Sequence, residues 1–495
     1  MIYSSFMSSD NLPNDIDSLK KLVLSLRDEN HGLHDLIAHL RRKQYGSSSE
    51  KVTADQLGMF DEVESEALKE DEDEETISVP AHERAKRGKR LKLPDHLPRK
   101  EVIIDLENKI CPHDGAELKC IGEEVSERLE IIPAKVLVIR TIRKKYACPV
   151  CESITEAKAP LELIPKSNSS ASLLAYIATA KYADALPLYR QEDIFKRINI
   201  DLSRQTMARW MITVGEKIAP LITILREELL KSSYIHMDET VVQVLKEDGK
   251  KAQTTSYMWV QARSGPAPIV LFHYAKNRSG THAEELLDDY RGSLQVDGYD
   301  GYAPVIRRNN ITRLGCWAHA RRKFYDAFKS SGGKSIGNQG LVFFKKLYRI
   351  EEEVRNTTPE NKFYERLTRS IPILKEFKKW VNEEVRDVNP TSLAGQALKY
   401  TRNEWEYLEN CFTLGEASID NNYIEGHIRP FTIGRKNWMF SVSPEGATAS
   451  ANIYSLVETA KANSLDPFDY LSMVFKKLPL AQTEAEFLEL LPVKI

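Results

Sequence analysis

Hydrophobic and polar positions alternate along residues 234–275, and this period of two predicts β-strands. Three such segments occur, with the sequences YIHMDETVVQVL, SYMWVQAR and APIVLFHYA. The turns between them contain Gly249 and the tripeptide Ser264-Gly265-Pro266. Because short connections of this kind join antiparallel neighbours, we predict a three-stranded antiparallel meander.

Beyond the meander, strand-like runs alternate with amphipathic segments. The segments THAEELLDDY, YAPVIRRN and HARRKFYDAFKS have the period of helices, whereas SLQVDGY and ITRLGCWA have the character of strands. Alternating helices and strands imply right-handed parallel crossovers. Three antiparallel strands followed by two parallel strands, with helices on the faces, predict a ribonuclease-H-like sheet for residues 233–330.

Three acidic residues stand at unusual places in these predicted elements. Asp238 lies inside the first strand, where acids are disfavoured, Asp297 ends the fourth strand, and Glu425 lies on a later helix. Converging carboxylates are typical ligands for two divalent cations, Mg²⁺ or Mn²⁺, in chemistry on phosphate esters. We expect the mutual repulsion of these carboxylates to raise their pKa values when no metal is bound.

Neighbouring acids provide alternatives to the first two members of this set. Glu239 adjoins Asp238, but successive residues of a strand point to opposite faces, which argues against Glu239. Asp300 falls in the turn three residues after Asp297 and is the strongest rival. The sequence therefore favours Asp238 and Asp297 without excluding Asp300.

The segment around Glu425 contributes both an acid and several cations. Residues 331–415 are long, charged and helical, and we interpret them as an insertion between the core and residues 416–445. Asp420 or Asn421 is expected to cap the helix on which Glu425 faces inward. The candidates for binding phosphate here are Arg429, Arg435 and Lys436. Residues 446–495 are predicted to form a C-terminal helical element.

The CWAHARRK segment carries a second group of candidate residues. Cys316 and His319 are a possible metal pair, although a buried cysteine and a histidine that contacts DNA or the active site fit the pattern better. The cations that follow on the same predicted helix are Arg321, Arg322 and Lys323. We predict that they contact phosphates, with a solvated helix face as the alternative.

Residues 168–232 also have the period of helices. Two helical segments precede the short break NIDLS, after which Ser203 is expected to cap a long helix with one apolar stripe. Two helices joined by a short turn fit a helix-turn-helix, and its candidate DNA contacts are Arg204, Gln205 and Arg209. A plain helical hairpin has the same pattern and remains the alternative.

Clustered cysteines predict a zinc-ribbon-like module at residues 101–160. Four of the six cysteines fall within residues 111–151, which indicates a reducing compartment and one local metal site. The CPVC motif has the spacing of a zinc knuckle, but the first half of the pattern departs from it. The candidate ligands are Cys111, Asp114, Cys148 and Cys151, with His113 and Cys120 as further possibilities. A small β-ribbon with free cysteines is the alternative.

The N-terminal part has a heptad pattern and two charged stretches. Leucines recur every seven residues in residues 16–43, which predicts a short coiled coil for self-association, with a helix packed on its own chain as the alternative. Residues 46–100 are predicted to be a flexible linker. Its stretch 61–75 holds ten acids and one lysine, and residues 84–100 hold eight Lys or Arg. The basic stretch favours a polyanionic partner.

Several sequence blocks occur in a fixed order that resembles a known family. They are YIHMDET, LQVDGYDGYAPV, GCWAHARRKFYDA, IDNNYIEGHIRPFTIGRKNWMFS and IYSLVETAKANSLDPFDYL. Together they resemble the transposases of the IS66 (IS-sixty-six) insertion-sequence family, over nearly the whole chain. The resemblance implies a DDE catalytic domain with Asp238, Asp297 and Glu425 as the triad, and accessory proteins of the same element as partners.

We therefore predict a DNA transposase that binds the ends of its mobile element and joins their 3′ ends to target DNA. Two alternatives belong to other functional classes. A metal-dependent nuclease or resolvase would share the triad but cut without joining, and a transposase-derived regulator would bind DNA after losing the triad. Without a signal peptide or an apolar run of membrane-spanning length, the protein is expected in the cytoplasm, associated with the nucleoid when it binds DNA as a homo-oligomer.

Overall fold

The computed structural model describes residues 15–18, 20, 135–147, 154–331 and 335–494. The chain forms two compact units, Ser47–Ala159 and the remainder, Met1–Gly46 with Pro160–Ile495. The predicted heptad leucines, the charged stretches and the four clustered cysteines lie outside the described residues. Among the residues that are described, no helix has the length and apolar character needed to cross a membrane.

The smaller unit contains a short β-hairpin in its described part. Strand β1 (Lys145–Ala147) pairs antiparallel with β2 (Ile154–Glu156), and Ala147 stands opposite Ile154. The CPVC motif follows β1 in the sequence and is not among the described residues. Residues 135–144 have no regular secondary structure, and apolar side chains such as Val138 are exposed instead of packed on a sheet.

The larger unit is built on a five-stranded mixed sheet. Its strands are β3 (Tyr234–Gln243), β4 (Thr255–Arg263), β5 (Ile269–Ala275), β6 (Ser293–Gln295) and β7 (Thr312–Leu314). The strand order is β5-β4-β3-β6-β7, with β3, β4 and β5 antiparallel and with β6 and β7 parallel to β3. The prediction of an antiparallel meander followed by two parallel strands is confirmed.

Sixteen α-helices occur in the described residues from 154 onward. They are α1 (Ala171–Tyr182), α2 (Leu188–Arg197), α3 (Arg204–Lys217), α4 (Ala219–Leu230), α5 (Gly280–Leu287), α6 (Ala303–Asn309), α7 (Trp317–Ser331), α8 (Ile336–Glu353), α9 (Pro359–Glu365), α10 (Ile371–Asp387), α11 (Leu393–Asn403), α12 (Trp405–Asn410), α13 (Asn422–Trp438), α14 (Pro444–Ala462), α15 (Pro467–Lys477) and α16 (Glu484–Leu488). A π-helical turn, Arg366–Ser370, joins α9 to α10.

Helix α3 begins directly after Ser203, as the sequence predicts, but the single long helix expected there is divided into α3 and α4. The side chains of Ser170 and Ser203 accept backbone N–H groups at the starts of α1 and α3. The apolar stripe of α3 is buried at Met207, Met211 and Val214. These side chains belong to the same hydrophobic core as the central strands. The predicted helix-turn-helix region thus shares one core with the sheet, and α3 packs on α14.

Helix α14 covers the edge of the sheet that is formed by strand β5. The backbone N–H groups of Phe272 and Val270 donate to Ser455 Oγ (2.8 Å) and Thr459 Oγ1 (3.0 Å) of α14. An uncovered edge strand leaves such groups open to pairing with other chains. The hydroxyl groups of Ser455 and Thr459, four residues apart on α14, therefore accept hydrogen bonds from backbone N–H groups of the edge strand that could otherwise pair with another chain.

The predicted helical insertion forms a second hydrophobic core. Trp317 at the start of α7 lies at its centre, with ring centroids 5.6 Å from both Phe344 and Phe412. Helix α7 begins two residues earlier than the sequence pattern indicates, because the chain leaves β7 to bond to the insertion. The N–H of Gly315 donates to Tyr407 O (2.8 Å), and the N–H of Trp317 donates to Ile419 O (3.0 Å).

Candidate active site

The register of the parallel strands places Asp238 and Asp297 at matching positions. His236 of β3 pairs with Gln295 of β6, and each aspartate follows its paired residue by two positions. One oxygen of each aspartate is fixed by the backbone nearby. Asp238 Oδ1 accepts the N–H of Glu239 (2.8 Å), and Asp297 Oδ1 accepts the N–H of Tyr299 (3.0 Å). The two carboxylates therefore leave neighbouring strands at the same level of the sheet.

Asn421 attaches the helix that carries Glu425 to strand β3. Its Nδ2 donates to the carbonyl of Met237 (3.2 Å), and its Oδ1 accepts from His236 Nδ1 (2.9 Å). Burial lowers the pKa of His236 to about 4, so the ring is neutral and its Nδ1 can donate this bond. Asn421 occupies the N-cap position of α13 without capping it through its side chain. The amide instead fixes the start of α13 one turn before Glu425.

Electrostatic interactions join the three predicted acids. Burial raises the pKa of the Asp238 carboxyl well above its usual range, and the charges of Glu239, Asp297 and Glu425 raise it further. Burial also raises the pKa of Glu425, where Asp297 adds to the rise and Arg322 and Arg429 oppose it. Three hard oxygen donors that repel one another when ionised form a suitable donor set for divalent cations, which would relieve that repulsion.

The neighbouring acid Glu239 is occupied by other partners. Its side chain is 1% exposed and forms an ion pair with Arg278, and Tyr302 Oη donates to its Oε2 (2.6 Å). Burial raises its pKa, while Tyr302 and Arg278 lower it. Glu239 thus lies beside Asp238 but is bonded to an arginine and a tyrosine. No sequence motif marks this arginine, because Arg278 stands in an ordinary polar turn between β5 and α5.

The two other rival acids have distinct environments. Asp300 is exposed and begins a 3₁₀ turn. Asp420 is buried, and its carboxylate accepts from the backbone N–H of Asn422 (3.2 Å) and from Tyr348 Oη (3.1 Å). Because Asn422 is the first residue of α13, Asp420 binds the start of this helix from the position before the N-cap, which is Asn421.

Cys316 and His319 lie against Glu425. One possible ligand atom from each of these three side chains lies within 4.8 Å of the others, so the group could hold a metal ion. The thiol is less suitable, because burial raises the pKa of Cys316 well above its usual range and the Asn421 N–H already donates to Sγ (3.3 Å). Burial and Arg322 lower the pKa of His319. These contacts favour the interpretation of a buried cysteine beside a neutral histidine at the active site.

The predicted DNA contacts occupy different positions. Arg204 and Gln205 are exposed at the start of α3 and line a cleft together with Tyr189 and Lys196 of α2. Arg209 is exposed one turn later on α3. On α7, Arg321 and Lys323 are exposed and Arg322 is half-buried, with Lys323 Nζ 4.7 Å from the ring centroid of Tyr400.

The cations of α13 also differ from one another in exposure and in their partners. Arg429 is half-buried and Lys436 is exposed. Arg435 bonds through Nη1 to Thr240 Oγ1 (3.1 Å) and to the carbonyl of Val241, so it links α13 to β3. Any contact of Arg435 with DNA would therefore compete with a structural role.

Comparison with family models decides the relationship of the chain. Residues 166–449, which include both aspartates and Glu425, match the model described as the Transposase IS66 family. The chain belongs to the IS66 transposase family. Three further family models match parts of the chain: a zinc-finger binding domain of transposase IS66 at 108–152, the model Transposase C of IS166 homeodomain at 32–102, and the IS66 C-terminal element at 455–493.

Relatives of similar length occur in Sinorhizobium fredii (strain NBRC 101917 / NGR234). The protein named "Uncharacterized protein y4jD" is 33% identical over 97% of this chain and 96% of its own length. The protein named "Uncharacterized protein y4qI" is 32% identical over 97% of each chain. These names state no activity. The IS66 domains indicate a transposase, and they imply DNA as a partner and the use of divalent metal ions.

Proposed function

We propose that this IS66 family protein is a DDE transposase that cleaves DNA at the ends of its mobile element and transfers the 3′ ends to target DNA. Asp238, Asp297 and Glu425 are the catalytic carboxylates of this proposal. The observation that carries it is their placement: the register of β3 and β6 puts Asp238 and Asp297 at the same level of the sheet, and Asn421 fixes the start of the helix that carries Glu425 to β3.

The catalytic domain is ribonuclease-H-like in this proposal. Its support is the strand order β5-β4-β3-β6-β7, in which the central β3 carries one acid and the adjacent parallel β6 leads to the second. Helix α13 brings the third acid, and the insertion with its own core separates α13 from β7 in the sequence. The topology thus places β6 and α13, which are distant from β3 in the chain, beside β3.

The reaction follows from this donor set. Divalent cations bound by the three carboxylates, Mg²⁺ or Mn²⁺, would activate the attacking hydroxyl and stabilise the departing 3′-oxygen. In strand transfer the 3′-hydroxyl of the element attacks a target phosphodiester, so one P–O bond forms as another breaks, and no bond to the protein forms. Asp238 and Asp297 present their carboxylates in orientations fixed by backbone N–H groups, which limits reorganisation during the reaction.

The remaining modules have supporting roles in the proposal. Arg204, Gln205 and Arg209 of α3 bind element ends, and the cations of α7 and α13 bind phosphates close to the carboxylates. The zinc-finger region binds one Zn²⁺ through Cys111, Asp114, Cys148 and Cys151. The heptad region pairs two chains on DNA, and accessory proteins of the same element complete the complex.

A strand-transfer assay tests the proposal with a matched pair of variants. Purified protein is incubated with Mg²⁺ or Mn²⁺, the accessory proteins, a pre-cut element-end duplex and target DNA. Asp297→Asn is expected to abolish joined product, whereas Asp300→Asn, an exposed acid three residues away, is expected to retain it. Both changes replace a carboxylate by an amide of the same shape.

The assay also separates the alternative functions. Cleavage without joining by the wild type would favour a nuclease or resolvase. Tight binding of element ends without metal-dependent chemistry would favour a DNA-binding regulator. Loss of joined product in Asp300→Asn with retention in Asp297→Asn would reject the triad while keeping the transposase.

A further inference from the structure

We propose that Arg278 binds a backbone phosphate of the DNA strand at the active site, and that Glu239 is a positioning residue that holds this arginine. This inference rests on the proposed function, since it assigns a phosphate-binding cation to the same site. Arg278 contacts two residues that stand close to the catalytic aspartates in the sequence. Glu239 directly follows Asp238, and Tyr299 lies two residues after Asp297. None of the motifs in the sequence marks this arginine.

Arg278 is held by the side chains of Glu239 and Tyr299, and a third side chain, Tyr302, bonds to Glu239. Its guanidinium bonds through Nε and Nη2 to Glu239 Oε1 and lies 3.8 Å above the ring centroid of Tyr299. The opposite oxygen of Glu239 accepts from Tyr302 Oη (2.6 Å), and Tyr302 is 1% exposed. Tyr299 Oη donates to the Arg278 carbonyl, which fixes the backbone as well. An arginine restrained in this way loses little conformational entropy when it binds an anion.

The location of Arg278 relates it to the catalytic carboxylates. Glu239 follows Asp238 directly, and the Tyr299 N–H donates to Asp297 Oδ1 (3.0 Å). Burial lowers the pKa of Arg278, but the charges of Glu239 and Asp297 outweigh this effect and raise it. The guanidinium is thus within electrostatic range of Asp297. A phosphate approaching the carboxylates would meet Arg278 at the rim of the site.

Exposure separates the roles of the two partners. The Glu239 side chain is 1% exposed, whereas 39% of the Arg278 side chain remains exposed. The acid faces the protein interior, where an arginine and a tyrosine occupy both of its oxygens. The arginine retains donors and surface for a second acceptor, and its planar fork matches the oxygens of a phosphate. Glu239 is therefore better placed to hold Arg278 than to bind a metal ion.

A phosphate-neutralisation scan tests whether Arg278 contacts DNA at the site. Element-end duplexes carry one uncharged methylphosphonate at successive positions around the cleavage site. Binding is measured in Ca²⁺ and strand transfer in Mg²⁺, for the wild type and for Arg278→Ala. We expect one position at which the wild type loses roughly 10- to 100-fold, the range for a hydrogen bond to a charged group, and at which Arg278→Ala loses nothing further. Such non-additivity assigns the contact.

Three variants control the experiment. Arg308→Ala removes an exposed arginine that pairs with Glu284 (3.3 Å) on α5, and it is expected to keep the wild-type profile. Arg278→Lys keeps the charge without the fork, and is expected to regain only part of the loss. If Arg278→Ala fails to fold because Glu239 is left buried and unpaired, the double variant Glu239→Gln/Arg278→Ala removes both charges and takes its place.

Glu239→Gln tests the positioning role. It is expected to weaken the same phosphate contact while leaving Mn²⁺ affinity, measured by calorimetry without DNA, equal to that of the wild type. An equal loss of Mn²⁺ affinity in Glu239→Gln and Asp297→Asn would make Glu239 a metal ligand and overturn this assignment. Additive losses of Arg278→Ala with every methylphosphonate would overturn the phosphate contact. Failure of the wild type to join strands rejects the proposed function alone, because binding in Ca²⁺ still tests Arg278.

Discussion

Arg366 is expected to stabilise the insertion through an ion pair that is removed from water. Its side chain is 0% exposed in the π-helical turn, and it bonds to both oxygens of Glu351, through Nε at 2.8 Å and through Nη2 at 2.6 Å. It also donates to the carbonyls of Cys411 (3.1 Å) and Ala417 (2.8 Å) and to that of Leu414. These carbonyls lie on the segment that returns from the insertion to α13. We predict that Arg366→Met loosens the insertion and this segment together.

The magnitude follows from what the substitution leaves behind. Removal of one partner of a buried ion pair costs about 3–5 kcal/mol, because the other charge stays buried without compensation. Glu351 is 12% exposed, and the ion pair that it would keep within the described part of the chain is with Lys362, at 3.8 Å. A loss of about 3 kcal/mol corresponds to a roughly 100-fold larger population of the open state. The double variant Arg366→Met/Glu351→Leu should recover part of the loss, since no unpaired charge remains.

Hydrogen exchange measured by mass spectrometry checks this prediction locally, without assuming that the chain unfolds in one step. Amides of α8, α10 and residues 411–417 should exchange about 100-fold faster in Arg366→Met than in the wild type. Arg369 is the matched control, because it is three residues away and pairs with Glu353 and Glu365 but is 42% exposed. Arg369→Met should leave exchange unchanged. Equal acceleration by both variants would refute the argument from burial.

Two further predictions concern stability. Because the folded-state pKa of Asp238 is raised, its contribution to the free energy of unfolding is largest below the ordinary value of 3.8 and is lost as pH rises through the folded-state pKa. Asp238→Asn should therefore make the free energy of unfolding depend less steeply on pH, measured by thermal unfolding from pH 4 to 8 in EDTA. An unchanged pH dependence would contradict this prediction. Gly215→Ala should destabilise the folded protein by about 1–3 kcal/mol, because the new Cβ would lie 2.5 Å from the Ala449 backbone. Gly426→Ala, where the new Cβ would meet open space on α13, should stabilise the folded protein by about 0.5–1 kcal/mol in the same assay.

The directions of the strands could be predicted from the sequence, because local patterns indicate them. Alternation in 234–275 identifies the meander, and the change to helix and strand predicts parallel crossovers. The end of β7 and the start of α7 were harder to predict. Gly315 bonds to Tyr407 of the insertion, and Trp317 bonds to Ile419 just beyond it. Those partners are about 100 residues away in the chain, and no local pattern can indicate them.

Asp238 stands out in the sequence because acidic residues are rare in strands, whereas Asp297 follows the end of β6 and Glu425 lies on a helix. Their supporting residues could not be found in this way. Arg278 is one cation among many in polar turns, and only tertiary packing brings it to Glu239. Arg435 shows the converse case, because it was chosen as a phosphate ligand by its place on α13 and yet bonds to Thr240 and Val241. Sequence spacing locates a cation on a helix, but its partner is decided by the neighbouring strand.

Asn421 explains how the third acid is delivered to the site after so long an insertion. The second core folds around Trp317 and ends where the chain bonds back to α7, at Ile419. Two residues later, Asn421 bonds to His236 and to the carbonyl of Met237, which directly precedes Asp238. Asn421 thus joins the segment that returns from the insertion to β3. Because both partners of each bond are buried, these bonds hold the start of α13 against β3 one turn before Glu425.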